Sequence, residues 1–207
     1  MICLCSSSES RALLLDKFGI AFIQKSPEYD EEQIRTTIAK DFVYTASKGK
    51  LEAGIKAFGL EIPLLCADTV IAASDGTILR KAKNREDAKR ILLRQSGSQI
   101  AIVSSLHYRS KKLAFSDISA TYYHFVPFDE QDLEVYLKSG LWKGKAGGCM
   151  VEGFCKRYIL SVDGFESTAM GLQVEKLLPW IKVEAVSYTH LRAHETPEHL
   201  VCRLLLE

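Results

Sequence analysis

Short apolar runs alternate along this chain with longer amphipathic stretches, and the change of period marks the elements. Residues 2–5 are wholly apolar and predict a buried strand; residues 11–18, with leucines at 13, 14 and 15 and Gly19 as a stop, predict the helix that follows a serine loop. Residues 20–24 predict a second strand and residues 27–32 an acidic turn. A helix is predicted over 41–58, with Lys48, Lys50 and Lys56 on its polar side and Gly59 closing it. Residues 64–73 predict a central strand, apolar but for Asp68 and Thr69. Asn84 caps a predicted helix that has an acid, Asp87, in its first turn and Ala88, Ile91 and Leu92 on one face, ending near Ser96-Gly97.

Residues 100–108 and 113–125 are rich in β-branched and aromatic side chains, and the polar Arg109-Ser110-Lys111-Lys112 between them predicts an antiparallel hairpin. Asp129 caps a helix through Lys138 that Gly140 ends; a glycine-rich connection over 144–153 leads to a strand near 158–162, and a last helix is predicted over 168–178. Helices alternating with strands, plus one long hairpin, predict an α/β fold with a mixed twisted sheet flanked by helices.

Composition narrows the function without naming it. Two hundred and seven residues suffice for a sizeable core, and 27 basic residues against 26 acidic leave no global field to recruit nucleic acid or a membrane surface. An anionic ligand must be held locally. Six cysteines, at 3, 5, 66, 149, 155 and 202, form no CxxC pairs and follow no apolar leader, which points to reduced thiols in the cytoplasm. No apolar stretch approaches the roughly 20 residues of a membrane helix. Residues 1–183 read as one domain with a natural ending at Trp180-Ile181-Lys182-Val183, and residues 184–207 as a foreign tail. Within it His190 and His194 have i, i+4 spacing, but Pro197 interrupts the segment and the pattern lacks the third zincin element.

Three polar islands carry the candidate chemistry. Ser6-Ser7-Ser8-Glu9-Ser10-Arg11 lies between a strand and a helix, where amides and the positive helix end favour a phosphate; an ordinary N-cap is the plainer alternative. Arg11 opposes the helix dipole, so its placement makes sense with an anion nearby. Asp68 puts a carboxylate into a buried strand, which is costly unless a lysine or a cation pairs it; a strand-end turn or salt bridge is the other reading. Lys50, Lys81 and Glu31 are unremarkable one by one and gain meaning only if the fold brings them to Asp68.

Taken in order, the islands resemble the Maf (septum formation protein) family of nucleoside triphosphate pyrophosphatases, over roughly residues 2–181. The serine-rich loop ending in Arg11 is followed by Leu14-Leu15; Glu31 matches the second acid of the Asp-Glu pair; and Lys50 matches the helical lysine, with Lys48 as a close competitor. Ala67-Asp68-Thr69 is intact and is the most specific match. Arg80-Lys81-Ala82 keeps the lysine of a Gly-Lys-Pro element, and Ser96-Gly97, Lys145-Ala146-Gly147 and Gly171-Leu172 complete the series.

The resemblance implies an inosine-triphosphatase-like (Maf/Ham1-type) architecture with a nucleotide cleft between two lobes, and hydrolysis of a nucleoside triphosphate to monophosphate and pyrophosphate. It implies a Mg²⁺ or Mn²⁺ ion on Asp68 and Glu31, catalytic roles for Asp68, Glu31, Lys50 and Lys81, and phosphate binding by Ser6, Ser8, Arg11 and Lys145. Ser10, Thr69 and Glu152 fall at specificity positions. Ser10 replaces a second arginine and Glu152 a glutamine of the members acting on dTTP and UTP, and glutamate there is similar to the branch favouring 7-methyl-GTP, whose N1 and N2 donors suit a carboxylate. A homodimer is implied by the resemblance alone. The alternative function is a nucleotide-binding regulator of cell division with weak or no catalysis.

Overall fold

The computed structural model describes residues 1–149, 151 and 153–193, with 185–193 as backbone. Its elements run β1 (Ile2–Leu4), α1 (Glu9–Lys17), β2 (Phe22–Gln24), α2 (Ala39–Phe58), β3 (Leu64–Ala73), β4 (Ile78–Leu79), α3 (Arg85–Leu93), β5 (Gln99–Arg109), β6 (Ala114–Phe125), α4 (Glu130–Ser139), β7 (Ile159–Asp163), α5 (Glu166–Ala169) and α6 (Val174–Ala193). Short 3₁₀ turns occupy Glu31–Gln33 and Phe154–Tyr158. The strands form one mixed sheet in the order β2-β1-β3-β5-β6-β7, with β4 also on β3. β1 pairs β2 and β3 in parallel; β3, β5, β6 and β7 pair antiparallel in sequence.

The predicted caps are in place. Asn84 Oδ1 accepts from the Asp87 amide at 2.8 Å, Asp129 Oδ1 accepts from the Asp132 amide at 2.9 Å, and Gly140 turns left-handed at φ 71° to end α4.

β3 is buried on both faces and sorts its side chains by parity. Leu65 and Ala67 pack with Leu14 and Leu15 of α1 and with Leu172, Val174 and Leu177 at the start of α6. Leu64, Cys66 and Val70 point the other way, onto α2, where Leu51 and Ile55 cover the cysteines and Phe42, Val43 and Ala46 cover Val70. Further along, Ile71 and Ala73 join Ala88, Leu92, Leu133 and Leu137 under α3 and α4. Asp68 is thereby placed on the α2 face and Thr69 on the α1 face.

One feature departs from the sequence reading. The single helix expected over 168–178 is split into α5 and α6, because Gly171 takes φ 101° and its carbonyl accepts from Arg11 Nε at 2.8 Å. A β-carbon at Gly171 would lie 3.0 Å from Thr69 Oγ1, so the break is where α5 meets the α1 face of β3. α6 runs through Pro179 to Ala193, and Glu184 is buried with its carboxylate accepting from the Tyr108 hydroxyl at 2.5 Å.

Candidate active site

The serine loop leaves β1 at Leu4 and enters α1 at Glu9. Ser8 is the N-cap, its hydroxyl accepting from the Arg11 amide at 3.5 Å, and the first N–H groups of α1 have no carbonyl inside the helix to bond. Ser6 is buried; its Oγ accepts from the Ser8 amide at 3.2 Å and from Arg11 Nη1 at 2.9 Å. Gln24, at the end of β2, donates to the Ser6 carbonyl at 2.7 Å and holds the loop from outside. Ser10 is exposed on α1.

Arg11 lies inward. Its guanidinium donates to Gly171 O at 2.8 Å, Ser6 Oγ at 2.9 Å and Thr69 Oγ1 at 3.1 Å, and it is 8% exposed. Burial pulls its pKa below the ordinary arginine value, opposed by the charges of Asp68 and Glu31. Three elements distant in sequence are tied by one side chain, and a ligand reaches Arg11 only through the N–H groups these bonds leave over. Thr69 Oγ1 also meets Ser104 Oγ at 2.8 Å, and Ser104 donates to Thr168 O at 2.8 Å, so Thr69 donates to Ser104 and accepts from Arg11.

On the opposite face, Lys50 joins the two acids. Its Nζ lies 2.7 Å from Asp68 Oδ1 and forms a second, tighter ion pair with Glu31 Oε1. Asp68 is 5% exposed; burial raises its carboxyl above the usual carboxylate range, and Lys50 draws it part of the way back. Lys48 instead pairs with Glu52 at 3.9 Å on the exposed side of α2, so of the two lysines it is Lys50 that reaches Asp68 and Glu31. Lys50, Glu31, Cys5, Ser6, Ser7, Ser26, Pro27 and Tyr29 line a pocket of about 160 Å³, so the serine loop, Glu31 and Lys50 open onto one space, with Asp68 buried behind Lys50.

Lys81 and Lys145 are set apart from this ion-pair group. Both are exposed, and an isolated antiparallel bridge between Lys81 and Ala146 brings their chains side by side. Gly147, in the left-handed region at φ 61°, donates to Leu79 O at 3.1 Å, and its carbonyl accepts from Gln95 Nε2 at 2.6 Å. The Ile71↔Leu79 register runs antiparallel, which carries Lys81 toward the Thr69 end of β3. Glu152 lies outside the described residues.

The sequence reading missed Gln24, Ser104, Tyr29 and Gly49. A glycine inside the helical pattern, between Lys48 and Lys50, was the one available signal, since such a residue often marks a close approach. Ser104, Gln24 and Tyr29 carry no signal of their own.

Comparisons with known proteins agree with this arrangement of motifs. A profile of the family described as Maf-like protein matches residues 1–183. A nucleoside triphosphate pyrophosphatase from Nitratiruptor sp. is 54% identical over 179 residues, covering 86% of this chain and 96% of that protein. Another of that name, from Helicobacter pylori, is 39% identical over 180 residues, covering 87% and 94%. Among solved structures, a nucleoside-triphosphatase (dITP/XTP pyrophosphatase) from Mycobacterium abscessus gives a TM-score of 0.42 at 16% identity over 94% of this chain and 98% of that one, too loose a likeness to bear on the site. With the profile spanning residues 1–183 and relatives this similar along nearly their whole length, the chain belongs to the Maf family.

Proposed function

We propose that this protein hydrolyses nucleoside triphosphates, canonical or modified, to the monophosphate and pyrophosphate, by attack of water at the α-phosphorus, as a house-cleaning activity on the nucleotide pool. The observation that carries the reading is the convergence of Asp68 and Glu31 on Lys50 at a pocket walled by the serine loop. Family membership supports it, through relatives named nucleoside triphosphate pyrophosphatase.

Asp68 accepts the proton of the attacking water. Burial raises its pKa and makes it a stronger base than an ordinary aspartate, and Lys50 opposes that shift by favouring the charged form. Lys50 keeps the two acids from repelling one another, and Lys81 and Lys145 supply cations for the phosphate chain and the departing pyrophosphate. Amides at the start of α1, with Ser6 and Ser8, receive phosphate oxygens, and Arg11 adds its remaining N–H groups to that set while fixing the loop's shape.

The residues fit a hard divalent cation. Two carboxylates in a site where phosphate oxygens and waters complete the shell match what Mg²⁺ takes, and among the described residues no cluster of three or more His, Cys, Asp or Glu could hold a metal ion by itself. Asp68 and Glu31 would hold Mg²⁺ or Mn²⁺, which supplies charge neutralisation on the phosphates.

Base preference is assigned to Ser10, Thr69 and Glu152, with 7-methyl-GTP set against dTTP and UTP. No helix among the described residues is long and apolar enough to cross a membrane, and buried thiols at Cys3, Cys5 and Cys66 suit the reducing cytoplasm. A homodimer is the expected assembly by family resemblance, to be checked by sedimentation.

The deciding experiment is pyrophosphate release across dTTP, UTP, CTP, ITP and 7-methyl-GTP with Mg²⁺, with chelator, and with Asp68→Asn. Metal-dependent release from one of these, reduced by about 1,000-fold or more in the variant, supports the enzyme. Nucleotide binding without release favours the regulatory reading, and a near-native rate in Asp68→Asn removes Asp68 from the mechanism.

A further inference from the structure

Gly49 stands in the interior of α2, where glycine is a poorer helix residue than alanine. Its surroundings give the reason. A β-carbon there would fall 2.5 Å from the Tyr29 hydroxyl oxygen and closer still to ring atoms Cε2 and Cζ, so the ring rests directly on the helix backbone beside Lys50.

Tyr29 belongs to the irregular segment that delivers Glu31. Asp30 caps the 3₁₀ turn, its Oδ1 accepting from the Glu32 amide at 2.9 Å, but that bond is internal to the turn and ties nothing to the body of the protein. Anchorage comes from either side of Glu31: Ile34 is buried under α2 with Phe42 and Val43, and Tyr29 packs against the same cluster. The ion pair of Glu31 with Lys50 does not suffice as an anchor, because the Glu31 side chain is 44% exposed and pairs in that setting hold a segment weakly. Burial, helped by the charge of Glu31, pushes the Tyr29 hydroxyl pKa up, so the ring sits beside the acid without adding a charge.

We propose that Tyr29 is a positioning residue: its ring, seated on Gly49, clamps the segment before Glu31 onto α2 and keeps the Glu31 carboxylate on Lys50. The role assigned to Glu31 rests on the pyrophosphatase reading; the clamp itself does not.

The test is a set of variants, Tyr29→Ala, Tyr29→Phe, Gly49→Ala and the double Tyr29→Ala/Gly49→Ala, measured for pyrophosphate release and for melting temperature. Tyr29→Ala and Gly49→Ala are each expected to lower kcat/KM by about tenfold or more, since small misplacements of a catalytic group are costly, and Tyr29→Phe to remain near wild type. The double variant should be no slower than Tyr29→Ala alone. Additive losses, or a wild-type rate in Gly49→Ala, would overturn the clamp. Melting gives a readout independent of activity: Gly49→Ala lowers the melting temperature when Tyr29 is present and raises it when Tyr29 is alanine. Absence of that reversal also overturns the proposal, whereas an inactive wild type that shows the reversal would sink only the pyrophosphatase reading.

Discussion

Asp68 and Thr69 are neighbours in β3 and face opposite sides of the sheet: the Asp68 carboxylate accepts from Lys50 of α2 at 2.7 Å, and Thr69 Oγ1 accepts from Arg11 of α1 at 3.1 Å. The two-residue alternation of an ordinary strand produces this division. On the Asp68 side the charges open onto a pocket. On the Thr69 side the hydrogen bonds close on protein partners, from Arg11 through Thr69 and Ser104 to the Thr168 carbonyl. Substitutions on the two sides are therefore expected to fail in different ways.

On the Asp68 side, Lys50→Met should lower kcat/KM for pyrophosphate release by about 100-fold or more, because it removes the cation shared by two carboxylates. Lys48→Met, which loses only an exposed pair with Glu52, should stay within about twofold. Parallel steady-state assays check the contrast, and equal losses would return the role to an open choice between the lysines.

The Thr69 side should fail in stability first. Arg11→Lys keeps the charge but cannot make the bonds to Gly171, Ser6 and Thr69 together, and is expected to cost about 2 kcal/mol or more. Gly171→Ala combines a φ of 101° with a β-carbon crowding Thr69 Oγ1, and should cost about 2 kcal/mol. Urea unfolding followed by circular dichroism measures both, and a midpoint unchanged in either variant would contradict the tie.

His107 supplies a pH dependence. It is buried against the Tyr44 ring, with centroids 5.0 Å apart; Lys48 and Glu52 add opposing, smaller effects, and burial holds its pKa below the ordinary histidine value. The folded protein then binds the proton less readily than the unfolded chain. Stability from the neutral ring is full above about pH 6.5 and is lost as pH falls through the lowered folded value. Melting curves from pH 8 downward should show this decline in wild type and a smaller one in His107→Gln; identical profiles would show that the ring titrates normally.

A chain cut after Val183 tests how far the domain extends. The groups proposed for catalysis lie before that point, so kcat should be unchanged, but loss of Glu184 takes the acceptor from the Tyr108 hydroxyl bond and should cost about 1 kcal/mol. The comparison is made against the full chain by calorimetry and activity together, and a large drop in kcat would make the segment after 183 part of the working enzyme.

Much of the fold was legible because its signals are local. The caps at Asn84 and Asp129, the stop at Gly140 and the hairpin of β5 and β6 follow from side chains acting within a few residues of themselves. Asp68 was legible as an anomaly, a carboxylate in an apolar strand. What escaped depends on distance in sequence: Arg11 meets Gly171 across 160 residues, and no local pattern distinguishes an inward-tied arginine from one presented to a ligand. The break between α5 and α6 was missed for the same reason, since it is imposed by the packing of Gly171 on Arg11 and Thr69 rather than by residues 168–178 alone.

β1 is shorter than the strand it accompanies. It pairs β3 only at Leu64 and Leu65, and β4 takes up the same edge at Ile71, so among the described residues no strand covers that edge from Cys66 to Val70. The bonds from Cys5 N to Leu65 O and from Ala73 N to Thr77 O show that odd-numbered residues turn their main-chain groups this way, which leaves those of Ala67 and Thr69 aimed into the gap beside the serine loop. Peptide groups survive every side-chain replacement. An alanine scan of this molecule is therefore blind to one class of contact, and amide-to-ester exchange at Ala67 or Thr69 is the chemical route to reading it.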